Sequence, residues 1–173
     1  MRQEERRAKT LNALAIAAKG AFARGGYAET SLDRIAADAG VSKGAVYAYY
    51  PTKLDLFLAV TDEVLEDARR RVGRVSRAVA QGEASHRAAR RYLGIADDNE
   101  HVALMAEVWR MSGLEEAVRE RLDAFRHERR ADLGAKAVDA GSTARRALSE
   151  ADVVAKLIDA ETLDHRLGLA ANA

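Results

Sequence analysis

The chain has 173 residues, of which 48% are apolar and 32% charged, with a net charge of +1 and no cysteine. That supply of apolar side chains is enough for a buried core, and the lack of cysteine excludes disulfides, thiolate nucleophiles and Cys-based zinc sites. The longest unbroken apolar run, Ala13 to Ala18, is far short of the roughly 20 residues that a membrane span needs. The basic stretch at the N-terminus is not followed by the apolar segment of a secretory signal, so a cytoplasmic location with no membrane partner is expected.

A single proline, abundant alanine and short β-branched runs favour helix nearly throughout. Leu11, Leu14, Ala15, Ala18 and Phe22 mark one face of a first helix, about residues 3–24, which Gly25-Gly26 stops. The residues before position 9 are expected to fray and to touch DNA only weakly. Thr30-x-x-Asp33 has the form of a capping box opening a short second helix with Leu32, Ile35, Ala36 and Ala39 on its buried side. Gly40 allows a sharp turn, Val41 fills the space between the helices, and Ser42 caps a third helix. Pro51 ends that helix at Tyr50.

Thr52-x-x-Asp55 caps a long fourth helix, whose apolar spacing continues from Leu54 to Val79. Further helices are expected at about 85–95, 100–111, 113–140 and 143–170, punctuated by glycines and the Asp97-Asp98-Asn99 cluster. The charge is uneven. Residues 1–53 carry nine Lys/Arg against five Asp/Glu, a balance of +4, and the remainder nineteen against twenty-two, a balance of −3. A basic N-terminal third suits contact with phosphates.

Two short amphipathic patterns around Ala39-Gly40-Val41 have the layout of a helix-turn-helix, whose second helix reads the major groove. Residues 9–60 resemble the DNA-binding head of the tetracycline-repressor (TetR) family of transcriptional regulators. The matching pieces are Ala17-Ala18, Phe22, Gly26-Tyr27, Thr30-Ser31, Ile35-Ala36, Ala39 to Gly44, Tyr47-x-Tyr49-Tyr50 and Lys53. Ala45 stands where the family often has threonine, and Tyr50 where it usually has phenylalanine.

The residues also carry a chemical reading of their own. The phenols of Tyr47 and Tyr49 can bond phosphate oxygens, and the Lys53 ammonium together with helix N–H groups can meet one phosphate. Lys43 can reach a guanine edge, and Ala45 or Val46 a thymine methyl; Val46 and Tyr50 suit the core better. With Thr30 and Ser42, the expected DNA-binding set is Thr30, Ser42, Lys43, Ala45, Tyr47, Tyr49 and Lys53. The expected domains are a head, 1–53, and a helical effector-binding and dimerisation body, 54–173, joined by the fourth helix in an all-α fold.

The resemblance implies a homodimer whose last two helices, about 113–140 and 143–170, form a bundle across a two-fold axis. Weak reading by one helix also calls for two of them on a palindromic operator of double-stranded DNA. Repression by blocking polymerase is the expected direction, because no extra activation segment is seen, and the resemblance further implies release by a small apolar effector. Its candidate pocket residues are Tyr92, His101, Leu104, Met105, Val108, Trp109 and Phe125, for which membership of the core is the competing reading.

No phosphate loop, nucleophile elbow, H-E-x-x-H pattern or calcium loop occurs, so no enzyme, cofactor or metal is expected. The alternative function is a helical protein-interaction adaptor without specific DNA binding.

Overall fold

The computed structural model of the chain describes residues 2–83, 87–88, 91 and 99–139. Among them lie six helices and no strand: α1 (Arg2–Gly25), α2 (Leu32–Asp38), α3 (Lys43–Tyr49), α4 (Lys53–Ala80), α5 (Asn99–Ser112) and α6 (Glu116–Asp139). The all-α expectation holds. The predicted helix at 85–95 falls mostly, and the one at 143–170 wholly, outside the described residues. No helix among the described residues is long and apolar enough to cross a membrane.

Two predicted ends change. Helix α1 begins at Arg2 rather than fraying to position 9. The cap of α2 is Ser31, whose hydroxyl accepts the Arg34 N–H at 3.2 Å. Thr30 is instead buried, its hydroxyl donating to the carbonyls of Gly26 at 2.7 Å and Ala21 at 3.3 Å. A threonine followed by serine offers two possible caps, and the apolar surroundings of α1 claimed the first.

The other signals act as the sequence implies. Gly40 takes φ +66, a left-handed value at which only glycine is unstrained, and so turns α2 into α3. Ser42 accepts the Ala45 N–H at 3.2 Å and caps α3. Thr52 and Asp55 form a reciprocal box at the start of α4: Asp55 accepts the Thr52 N–H at 2.9 Å and hydroxyl at 2.7 Å, while the Thr52 hydroxyl accepts the Asp55 N–H at 3.1 Å.

Helix α1 is the hub. It packs on α2, α4 and most extensively α5; α6 then covers α4 and α5. One connected core runs from Leu14, Phe22 and Ile35 in the N-terminal part through Phe57 and Leu65 of α4 to Met111, Leu122 and Phe125. At its centre an aromatic trio joins three elements. Phe57 meets the ring of Phe22 edge-on at 5.0 Å and that of Tyr27 at 5.2 Å. Phe22 and Tyr27 stack at 6.1 Å.

The turn between α1 and α2 is held from outside as well. Lys53, in the first turn of α4, donates to the carbonyls of Tyr27 at 2.8 Å, Thr30 at 2.9 Å and Ala28 at 3.4 Å. Its ammonium also lies 4.3 Å from the centre of the Tyr27 ring. One lysine thus satisfies the carbonyls of a turn that has no helical partners for them.

Two stability measurements check this packing. Phe57→Ala removes the shared ring of the trio from a site with no solvent exposure, and unfolding in urea at fixed protein concentration should show a loss of about 3–5 kcal/mol. Lys53→Met keeps the stem but removes the charged donor; a loss of roughly 1.5–3 kcal/mol, with faster hydrogen exchange confined at first to residues 26–31, is the expected outcome.

Candidate nucleic-acid interface

Helix α3 has two unlike sides. Val46 is fully buried and anchors it to the core, as its apolar side chain predicts. Lys43, Gly44, Tyr47 and Ala48 are exposed, and Ala45 and Tyr49 are half-buried. Tyr47 keeps about half its surface open (49%), a large share for an aromatic residue. Ser42 is exposed at the N-terminal end of the same face.

Of the seven residues expected at the DNA face, α3 and its cap therefore bring five together: Ser42, Lys43, Ala45, Tyr47 and Tyr49. Two lie apart from them. Thr30 is sealed beneath the turn after α1, with its hydroxyl committed to backbone carbonyls. Lys53 directs its ammonium to three carbonyls of that same turn, so it positions α2 and α3 instead of presenting charge. A lysine close to a turn rich in exposed carbonyls satisfies them first, and spacing alone does not reveal that turn's path.

Tyr49 is less open than expected. It packs against the core, and the guanidinium of Arg7 lies 5.9 Å from its ring centre. Arg7 was not among the expected contacts. Its only sequence signal was the basic start of α1; what matters is that the regular helix from Arg2 carries it beside the end of α3. Tyr50 is half-buried, and burial, aided by the charge of Glu63, pushes its phenol above the usual value. It packs against the core, the role expected of it.

The electrostatics of the face centre on one pair. Lys43 of α3 donates to Asp33 of α2, and this hydrogen bond raises the lysine's pKa. Both side chains stay largely in solvent, 68% and 47% exposed, so the pair is exchangeable and adds little to stability. Arg34 stands on the outer side of α2, 76% exposed and 3.7 Å from Asp38. The acidic partners stand beside these cations in exposed pairs.

The expected effector residues are divided. Leu104, Met105, Val108 and Phe125 belong to the connected core. Trp109 is half-buried beneath the guanidinium of Arg126, 4.3 Å from its ring centre. Tyr92 lies outside the described residues. His101 places Nδ1 3.4 Å from Asp67. Burial pushes the Asp67 carboxyl up, but the hydrogen bond and charge of Arg71, with His101 and Arg70, outweigh it and hold the carboxyl below its usual range.

His101 and Leu104 do line a cleft of about 530 Å³ between α1, α4 and α5. Its lining residues include the charged Asp62, Glu63, Glu66, Asp67, Glu100, Lys19 and Arg70 beside the apolar Val64 and Leu104. Leu104 of α5 belongs both to this lining and to the connected core.

Residues 16–60 match the model of the N-terminal region of bacterial regulatory proteins of the tetR family. The match spans α1 from Ile16, the whole of α2 and α3, and the first two turns of α4. Among solved structures, a transcriptional regulator from Rhodococcus sp. RHA1 shares the fold with a TM-score of 0.70 at 22% identity, over 88% of this chain and 81% of that one. A protein from Mesorhizobium loti, described as a TetR-family transcriptional regulator, matches with a TM-score of 0.54 at 26% identity, over 68% of this chain and 60% of that one. A helix-turn-helix built on the capped turn around Gly40 and the family's own N-terminal pattern lead to one assignment: residues 16–60 form the DNA-binding helix-turn-helix region of TetR-family transcriptional regulators.

Proposed function

We propose that the protein is a repressor that binds a palindromic operator as a homodimer and is released by a small-molecule effector. The carrying observation is the division of α3. Val46 is sealed in the core, while Lys43 and Tyr47 stand open on the opposite side. A helix of two turns held so firmly by one face can enter a major groove with the other. In this reading Lys43 approaches base edges or a phosphate, Ala45 meets a thymine methyl, and the phenol of Tyr47 bonds the backbone. Ser42, Tyr49 and Arg7 flank them and face phosphates.

Dimerisation follows from the small reach of one such helix. Two copies, held about 34–36 Å apart or at a multiple of that turn, multiply the discrimination of each. A dimer seated across a promoter excludes polymerase by occupation alone, which is why repression is the proposed direction. Helix α4 belongs both to the capped turn below α3 and to the body, so an effector that prefers one tilt of α4 alters the spacing of the two reading helices. Operator and effector then oppose each other through a coupling of typically ~1–3 kcal/mol. Trp109, partly covered by Arg126, supplies a fluorescence signal for screening effectors in the cytoplasmic metabolite pool.

Selection of bound fragments from genomic DNA, followed by gel shifts at rising salt, tests the proposal. Recovery of an inverted repeat bound far more tightly than random duplex supports it; uniform binding of all fragments or none contradicts it.

Substitutions at the face sharpen the test. If Lys43 reaches a phosphate, Lys43→Ala should weaken binding and lower the slope of log affinity against log salt by roughly 0.9. Asp33→Asn releases Lys43 from its present partner and removes a repelling charge, so operator affinity should rise. Anisotropy titrations across a salt series measure both.

A further inference from the structure

We infer that Glu107 of α5 is the positioning residue through which the body orients the DNA-reading helices, by gripping the Tyr27 amide across the junction with the head. The inference rests on the DNA-reading assignment of α3.

Glu107 is only 1% exposed, a rare place for a carboxylate. Its Oε1 accepts the backbone N–H of Tyr27, eighty residues earlier in the chain. Arg110, one turn along α5, holds the same carboxylate with Nε at 3.0 Å and Nη2 at 2.6 Å, and this hydrogen bond, against the opposing effect of burial, raises the arginine's pKa. The Arg110 side chain keeps nearly half its surface in water, so it neutralises and aims the carboxylate without being buried with it.

The bond falls where α1 gives way to α2. Gly26 takes φ +71, and its N–H returns to Phe22 at 2.9 Å. In a common helix ending the next N–H also folds back on the helix. Here that N–H, on Tyr27, goes to α5 instead. Gly26 also leaves the room: a Cβ there would lie 3.1 Å from Glu107 Oε1. A left-handed glycine, a donor released from its own helix and a buried acceptor from the body therefore coincide at one point.

The direction of influence follows from what shares the turn. Its carbonyls are taken by Lys53 of α4, its amide by Glu107 of α5, and Ser31 at its far end caps α2. A displacement of α5 along α1 pulls directly on the residues that start α2, and α2 carries α3 through the Gly40 turn. This route does not require α4 to tilt.

The experiment uses the full chain, as wild type, E107Q and E107M. Glutamine keeps the shape but exchanges one acceptor oxygen for a donor that faces Arg110. Methionine removes the acceptors and suits an apolar site. Hydrogen exchange is followed separately in residues 27–50 and 116–128, beside thermal melting and affinity for the genomically selected operator. In both variants we expect faster exchange in 27–50, wild-type exchange in 116–128, and operator affinity lower by roughly tenfold.

Wild-type exchange in 27–50 together with wild-type affinity overturns the inference. So does exchange that quickens equally in both segments, because that marks general loosening and not a grip on the head. A wild-type protein that selects no duplex removes the DNA-reading assignment instead, and the exchange pattern then decides by itself whether Glu107 holds the head.

Discussion

The turn from Gly26 to Thr30 is the constraint on which the rest of the molecule depends. Its hydrogen-bonding and ring contacts come from three elements. Phe57 and Lys53 arrive from α4, Glu107 from α5, and Phe22 from the end of α1. Each satisfies a different need of the turn: the ring of Tyr27 is packed, its carbonyl and amide are bonded, and the Thr30 hydroxyl closes back on α1. Without these partners the backbone between two helices would hold several polar groups in a partly apolar setting, each costing about 1–3 kcal/mol if left unsatisfied.

Stability and function meet at this place for a geometric reason. The DNA-facing helix is only two turns long and owes its attitude to α2, which in turn owes its start to the turn. An isolated helix of that length is unstable in water, so α3 exists because Val46 and its cap attach it to a rigid base. The body is therefore not a separate weight on a tether. Its core is continuous with that of the head, and α1 touches both.

Charge is distributed to match. On the outer face the cations Lys43 and Arg34 have exposed acidic neighbours that are weak, exchangeable partners. At the junction, Lys53 and Glu107 are turned inward on backbone groups and cannot be exchanged without disturbing the turn. The same residue types thus make exchangeable ion pairs where water competes and fixed bonds to the backbone where it does not.

Much of this was legible in the order of residues. Helical periodicity, the glycine turn at Gly40, the serine cap at Ser42 and the Thr52–Asp55 box depend on neighbours within a few positions, and local geometry obeys them. So does the open face of α3, because Val46 is the residue its spacing sends inward. The fate of Lys53 and Glu107 depended on partners between 23 and eighty residues away. Nothing local distinguishes a lysine that meets a phosphate from one that meets a carbonyl, or a surface glutamate from a buried one. The amino-acid order by itself determined the helices, their caps and the side that α3 shows to solvent, since these are short-range consequences of backbone geometry and apolar spacing. Only the tertiary structure decided which charged groups stay open to solvent and which bond the turn between α1 and α2, because that choice is made by whichever unsatisfied backbone group the fold brings within reach.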